Sequence, residues 1–534
     1  MDSRSMKVGI YNRWLHTMGG GERHSCMAAS VMANDHDVEM VSHKGVNLED
    51  LGRRFNIDLS NVSLRVVPAM PPIKFQKFTS QYDLFINSSF MTGQPSGAKH
   101  SLLLVLFPSP IENGLWARLR RLLGAFIIRC LLVPDFYDGF YDVQELGQGW
   151  FRYSSDQSIL RLRNPLIGKD IQIEVVLGNF RPARLGPVNI QASIGGEEVA
   201  NTMIASNDGG YISWRLDVPA RLSIGPELDL EIRCETYNPA DMGSDDNREI
   251  GVAVTDAFIV HWRHRFYQIV FRRIAMSLGL RLEGVRSYGS LEFLDSYDLI
   301  SPISEFSLGW MQHYWERDGP ILYPPVSTQD YFCGDKQNII LSVGRFFGAG
   351  GHSKRHDLLI DTFRSMIDEG LEGWELHLAG GKGSRPVDDR YFDKLGRMAD
   401  GLPVVLHPDI PFEALRDLYS KATIYWHASG YGSNVNKDPV MFEHFGITTV
   451  EAMASGCIPV VIGKGGQTEL VTDGANGFLW RDAKELKNRT LQIIGDYQLA
   501  ERLRAASIQS SKRFSESTFR ARLLDLVCRM RELQ

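Results

Sequence analysis

The stretch Glu443-His-Phe-Gly-Ile-Thr-Thr-Val-Glu451-Ala-Met-Ala-Ser-Gly456 sets two carboxylates eight positions apart around a glycine. Its pattern places Glu443 in a loop and Glu451 in the first turn of a helix. Gly446 leaves that loop open to close backbone approach, and Thr448 can cap the helix. A helix N-terminus offers unpaired N–H groups and partial positive charge, which suits a phosphate or sugar oxygen. Thr448-x-x-Glu451 is also a capping-box pattern, which would account for Glu451 with no ligand at all. On spacing alone both readings stand. Near the N-terminus, Met18-Gly-Gly20-Gly21-Glu-Arg follows a strand-like segment and opens a helix. It matches neither the P-loop nor G-x-G-x-x-G, so ATP and dinucleotide chemistry have little support.

The glutamate stretch resembles the E-x7-E signature of GT-B glycosyltransferases of family 4, the large retaining group. The likeness extends through Phe445-Gly446-Ile447, Glu451-Ala-Met-Ala-Ser-Gly, Gly465-Gly466-Gln-Thr-Glu469, Tyr425-Trp-His-Ala-Ser-Gly and Ala475-Asn-Gly-Phe-Leu-Trp480. Ser342-Val-Gly344-Arg345 and Lys354-Arg-His-Asp-Leu-Leu-Ile360 look like that family's basic pair, although alone they would read as ordinary surface cations. The resemblance implies that Arg345 and Lys354 clamp a donor diphosphate and that Glu451 holds ribose hydroxyls. Glu443, with backbone N–H groups from Phe445 through Gly446 and Ile447 to Thr448, would hold the donor sugar at its reacting carbon. The Gly20-Gly21 turn would face the diphosphate. The implied activity is a retaining hexosyltransferase that needs no metal and no cofactor beyond the nucleoside diphosphate sugar. One departure stands out. Related enzymes often carry a histidine in the strand-end motif before a proline, where this chain reads Val105-Leu106-Phe107-Pro108.

Four regions must position these residues. From Lys7 to Tyr141, short apolar runs such as Val8-Gly-Ile-Tyr and Leu102-Leu-Leu-Val alternate with helical patterns, as in a doubly wound parallel sheet. Next the period becomes two: Ile171/Ile173/Val175, Val188/Ile190/Ala192/Ile194, Leu228/Leu230/Ile232 and Ile250/Val252/Val254 alternate between turn signals. Six or more such strands in about 110 residues predict an antiparallel β-sandwich. α/β texture resumes from about His261, passes Tyr323-Pro-Pro-Val as a hinge, and repeats from Asn338 onward. The expected division is an N-terminal Rossmann-like domain over 6–146 and 261–327, a sandwich inserted at 147–260, and a nucleotide-sugar-binding Rossmann-like domain with C-terminal helices over 328–534. The fold class is α/β of GT-B type, its cleft between the two facing sheets.

A net charge of -6 argues against a nucleic-acid partner. Six cysteines without a C-x-x-C pair read as reduced, mostly buried thiols, and no ligand cluster suggests a metal. No secretory signal is evident, and no apolar run reaches the roughly 20 residues needed to span a bilayer, so the chain reads as cytoplasmic. Trp116–Arg129 and Trp262–Arg273 mix arginines with apolar and aromatic residues. They read equally as interfacial helices for a membrane's inner face and as core helices with arginines outward. The acceptor would be a glycan or lipid-linked glycan, with cell-envelope polysaccharide assembly the commonest setting for the family. The sandwich would serve recognition, or pack against another subunit in an oligomer. Its loop Thr236–Gly251 reads as a solvated turn tied down by Arg248, with Ca²⁺ or sugar hydroxyls as the alternative. A carbohydrate-binding or scaffolding protein with a vestigial GT-B unit is the competing reading, opposed by the complete Arg345, Lys354, Glu443, Glu451 set.

Overall fold

The computed structural model describes residues 5–110, 126, 129–146, 149–206, 210–244, 246–271, 291–348, 353–383 and 385–532. Its first five strands are β1 (Lys7–Tyr11), β2 (Asp37–Ser42), β3 (Val62–Val66), β4 (Leu84–Asn87) and β5 (His100–Val105). They are short, and β4 and β5 are buried at every position, because helices cover both faces of a parallel sheet. The chain then leaves this sheet. It returns far downstream, as the edge strand Leu299–Pro302, which pairs in parallel with β5.

Between these points lie nine antiparallel strands: β6 (Asp135–Phe140), β7 (Gln144–Leu146), β8 (Gly149–Arg163), β9 (Ile171–Gly178), β10 (Val188–Ile194), β11 (Glu197–Ile204), β12 (Ile212–Val218), β13 (Glu227–Cys234) and β14 (Ala253–Ile259). Their main path runs β11-β10-β13-β8-β14-β9-β12. The 15-residue β8 carries β14 on its first half and β13 on its second, so it belongs to both wings. The alternation read in the sequence is present in β9, β10 and β13, whose inward residues make one apolar cluster.

Two features depart from expectation. β6 and β7 also pair with β8, so this sheet begins near Asp135 and the boundary expected at 147 cuts through it. β14 does not alternate: it is buried along its whole length, with Ile250 outside it. The reason is the helix Trp262–Phe266, whose buried His264 stacks on Phe258 at 4.1 Å and bonds Asp256 at 3.1 Å, covering the second face. The Thr236–Gly251 loop is exposed at Ala240, Asp241, Gly243 and Ser244 and is tied down by Arg248, as expected. Arg248 pairs with Asp246 at 2.6 Å and lies over Tyr141 and Tyr153. Asn247 docks the loop on the first domain, donating to the His43 carbonyl and accepting from the Ala69 N–H at 3.2 Å.

After the returning strand β15 (Leu299–Pro302) comes a second parallel sheet: β16 (Gln337–Val343), β17 (Glu375–Gly380), β18 (Val404–Pro408), β19 (Ala422–His427), β20 (Ile458–Ile462) and β21 (Phe478–Trp480). The two parallel sheets have orders β15-β5-β4-β1-β2-β3 and β18-β17-β16-β19-β20-β21, the same 3-2-1-4-5-6 arrangement twice. In each, the strand order reverses beside the first strand, which opens a crevice at its C-terminal end.

The last helix, Glu516–Glu532, was expected with the C-terminal unit. Instead, Phe519, Leu523, Leu526, Val527 and Met530 pack into the first sheet's core beside Val8 and Ala28. Glu516 pairs there with Arg23 at 3.0 Å. Cys26, Cys234 and Cys457 are buried, but Cys130, Cys333 and Cys528 are exposed, so the thiols are less buried than expected; all six are free. Among the described residues, no helix is long and apolar enough to cross a membrane.

Candidate active site

The glycine-rich turn after β1 is held by a single bond from its helix: the Gly19 N–H donates to Glu22 Oε2 at 2.6 Å, just before the helix Gly20–Met32. At these glycines the chain packs closely against the ends of neighbouring side chains. An added Cβ at Gly19 would lie 2.6 Å from Arg345 Nη2, one at Gly20 3.0 Å from Ile447 Cδ1, and one at Gly21 2.8 Å from Leu106 Cδ1. The N-terminal turn therefore meets Arg345 and Ile447 of the second sheet directly. Arg345 follows β16 and is exposed.

Across the same crevice, Lys354 pairs with Glu443 Oε2. The same oxygen accepts from His427 Nε2, 3.3 Å away at the end of β19. Burial works to raise the Glu443 pKa, but the Lys354 cation and the His427 hydrogen bond outweigh it and hold the carboxyl well below the usual range. Burial lowers the His427 pKa; Glu443 opposes this and Lys354 adds to it. Arg345, Lys354, Glu443 and His427 thus gather at the reversal point between β16 and β19.

Glu451 lies in the helix Ile447–Ala454 and is buried. Burial raises its pKa, while Arg23 and the hydroxyls of Tyr331 and Tyr419 pull the other way; Tyr419 donates to Oε2 at 3.1 Å. The capping-box reading of Thr448 and Glu451 is corrected here. Gly446, at φ 118°, occupies the cap with no side-chain bond, and Thr448 lies inside the helix receiving the Tyr425 hydroxyl at 2.8 Å. Phe445 fits the expected backbone contact. Its ring is buried against Tyr323 and Phe514, which leaves only its backbone to the site.

The Gly465-Gly466 pair is a scaffold for this loop: the Gly466 N–H donates to the Glu443 carbonyl at 2.8 Å, and a Cβ at Gly466 would lie 2.5 Å from Phe445 Cα. Glu469 reaches across to the first domain. It accepts the N–H groups of Glu305 at 3.0 Å and Phe306 at 3.5 Å, at the start of the helix Glu305–Trp315. Ser304 bonds the His444 carbonyl at 2.6 Å, and the His444 ring stacks on Phe107 at 4.2 Å. Leu106, standing where an imidazole was expected, turns an apolar side chain to Gly21. Sequence reading assigned no role to His427, His444 or Glu469. Their motifs were visible, but their partners lie on other elements.

Burial raises Glu469 to about 7 from its usual 4.5. A carboxyl raised in the folded state contributes stability that is complete below 4.5 and lost as pH rises through 7. The Gln amide oxygen can still accept both N–H groups without titrating. Wild type should therefore lose stability relative to Glu469→Gln between those pH values, in urea melts at matched pH. Parallel curves would refute this.

Residues 328–510 match the family model described as Glycosyl transferases group 1. They are a glycosyltransferase group 1 domain. That domain contains Arg345, Lys354, Glu443 and Glu451, while the Gly20-Gly21 turn lies outside it. The chain is 27% identical over 225 residues to a GDP-Man:Man(3)GlcNAc(2)-PP-Dol alpha-1,2-mannosyltransferase of Dictyostelium discoideum, covering 39% of this chain and 41% of that protein. It is 25% identical over 279 residues to an alpha-1,3/1,6-mannosyltransferase alg-2 of Neurospora crassa, covering 45% and 57%. The matches thus span about half of these relatives' length. A glycosyltransferase structure from Rickettsia africae ESF-5 aligns over 99% of both chains at TM-score 0.51 and 10% identity. Anabaena Alr3699/HepE in complex with UDP aligns over 98% of this chain and 99% of its own at TM-score 0.50 and 11% identity. These two share the fold, a GT-B-like pair of parallel sheets around the group 1 domain.

Proposed function

We propose that the protein is a retaining glycosyltransferase of the E-x7-E type, moving a sugar from a nucleoside diphosphate to a glycan or lipid-linked acceptor. The observation that carries this is the Lys354–Glu443 pair close to Arg345, which itself meets the Gly19 turn, where both strand orders reverse. Breaking the glycosidic bond leaves negative charge on the nucleoside diphosphate. Arg345 and Lys354 are placed to stabilise that charge as it grows, which is where electrostatic catalysis is strongest. Lys354 is available by exchange, giving up Glu443 for phosphate. Glu443, ionised at neutral pH, would then face the sugar as an acceptor for hydroxyls and a stabiliser of positive charge at the reacting carbon. Glu451, backed by two tyrosines, suits ribose hydroxyls. The roles of Phe445, Gly446, Ile447 and Thr448 are backbone N–H contacts to the donor. Mannosyl donors are the first to test, because the names of the relatives specify GDP-mannose.

Purified protein offered GDP-, UDP-, dTDP- and ADP-sugars should release the free nucleoside diphosphate from one class, at a rate EDTA does not change. Activity lost in EDTA and restored by manganese would refute the metal-independent reading. Release from none of them would leave the carbohydrate-binding alternative in its place.

We further read β6–β14 as a sandwich hinged on β8, serving acceptor recognition in cell-envelope glycan assembly. Support comes from the inward residues of both wings, such as Ile173 and Leu230, which share one core. We place this domain at 135–260, with 5–134 and 261–327 as the first Rossmann-like domain.

Membrane attachment belongs to the same reading. The Trp116–Arg129 segment lies almost wholly outside the described residues. In the second segment His264 and Tyr267 are buried, while Trp262, Phe266, Ile269 and Val270 are exposed along with Arg263 and Arg265. Apolar and aromatic groups outward among arginines support an interfacial face over a core helix. The protein should sediment with anionic phosphatidylglycerol vesicles at low salt and less so with neutral ones. Indifference to both would return this segment to a purely structural role.

A further inference from the structure

Glu443 Oε2 carries two donors in this structure, and they are not equivalent. Lys354 reaches the carboxylate on a long, flexible side chain, whereas His427 ends β19, a central strand of the second sheet. The His427 ring is 3% exposed, and among the described residues its Nδ1 has no partner. An ionised carboxylate can only accept, so the nitrogen at 3.3 Å, Nε2, must carry the proton. The charged and titratable groups facing the ring are Glu443, Lys354 and His356. His356 is itself buried, with its pKa lowered to about 3, so it brings no charge. A protonated His427 would bury an unpaired Nδ1–H beside the Lys354 cation, which both burial and charge oppose. The ring is therefore neutral, with a single tautomer set by its position.

This matters when a diphosphate enters. Two phosphate groups compete for Lys354, and each step the ammonium takes toward them withdraws it from Glu443. A carboxylate left in this crevice with no donor would turn away or take up a proton. We propose that His427 is the positioning residue for Glu443: its Nε2–H keeps the carboxylate aimed and ionised while Lys354 serves the diphosphate. The inference rests on the glycosyltransferase reading and adds a residue to it. His427 touches neither sugar nor phosphate and acts only through Glu443.

The test has two arms, one independent of activity. In protein labelled with ¹⁵N-histidine, the His427 signal is identified by its loss in His427→Gln. That ring should show a protonated Nε2 and a bare Nδ1 from pH 6 to 8, and should keep them when GDP or UDP is added. An Nδ1–H tautomer, or a pattern lost on adding nucleotide, overturns the proposal even if no donor sugar has been found.

In the second arm, on the donor accepted by wild type, His427→Phe should lower kcat by about tenfold or more, the factor expected for one hydrogen bond to a charged group. KM for the donor should hardly move, because Arg345 and Lys354 are intact. His427→Gln, whose amide can donate from nearly the same place, should recover most of the loss. The kcat-pH profile of His427→Phe should show its acid limb at higher pH, as Glu443 loses a donor. A Phe variant with wild-type kcat, or a Gln variant as slow as Phe while both bind nucleotide, overturns the positioning role. Wild type inactive on every donor counts against the glycosyltransferase reading instead, and the first arm then decides the tautomer by itself.

Discussion

Replacing Lys354 by alanine is expected to slow sugar transfer by about 10²–10³, the scale for losing one transition-state charge donor, and Arg345→Ala should do the same. The two cations reach the crevice by different routes, Arg345 from the end of β16 and Lys354 beyond the following loop. On the function proposed above, each would meet the charge that develops on the departing diphosphate. Lys354 has a second task, since with His427 it holds Glu443 ionised against burial. Without it, the Glu443 carboxyl should titrate nearer neutrality, so Lys354→Ala should also shift the acid limb of the rate profile upward. Arg345→Ala, which has no bond to Glu443, should not. Because both cations act on one leaving group, the double variant should fall short of the product of the single losses. Steady-state kinetics against pH for the four proteins would decide this. Rates within twofold of wild type for both single variants would remove these residues from the mechanism.

Excising residues 134–260 and joining Val133 to His261 through a short Gly/Ser linker is expected to abolish most transfer to the natural acceptor while donor hydrolysis continues. The cut follows the sheet, beginning before β6; a deletion starting at 147 would strand β6 and β7 without β8. The two ends already meet, because His264 Nδ1 lies 3.1 Å from the Leu132 carbonyl, as an insertion into a surface loop requires. The parallel sheet is unbroken by the cut, since β5 and β15 pair directly. The polar links that join the excised sheet to the retained residues are few: the Asn247 bonds to His43 and Ala69, the Lys74–Asp156 pair, and the bonds of His264 and Gln268 to Asp256. Donor hydrolysis and acceptor transfer measured on the same preparation separate the two roles. Loss of nucleotide binding along with transfer would show that the nine-stranded sheet is part of the catalytic scaffold.

Much of this architecture was legible because local patterns carry it. Parallel strands covered on both faces must be runs of apolar residues, as in Leu102–Val105 and Ile458–Ile462, and strands with one wet face must alternate, as in β9 and β13. Glycine loops announce close approach, and the Gly20-Gly21 turn does meet the second domain. The alternation expected through Ile250, Val252 and Val254 failed because the cover on the second face of β14 comes from a helix outside that stretch. A Thr448 cap was one of two readings that its residue type and its spacing to Glu451 allow; Gly446, able to adopt a positive φ, took that place. The last helix was grouped with its chain neighbours, although its apolar stripe fits the first core.

The sequence by itself determined the residue types of the crevice, the periods of the strands and the tandem α/β order, since these depend on neighbours within a few positions. Only the tertiary structure decided which groups share a charge. Arg23 and Glu516 are 493 positions apart, Lys354 and Glu443 are 89 apart, and Glu469 caps a helix that begins 164 positions earlier. Even His427, 16 positions from Glu443, reaches it only because β19 and the following loop fold back on each other. Hydrogen bonds and ion pairs act over a few ångströms of space, and no local pattern records which distant segments the packing of two sheets will bring within that range.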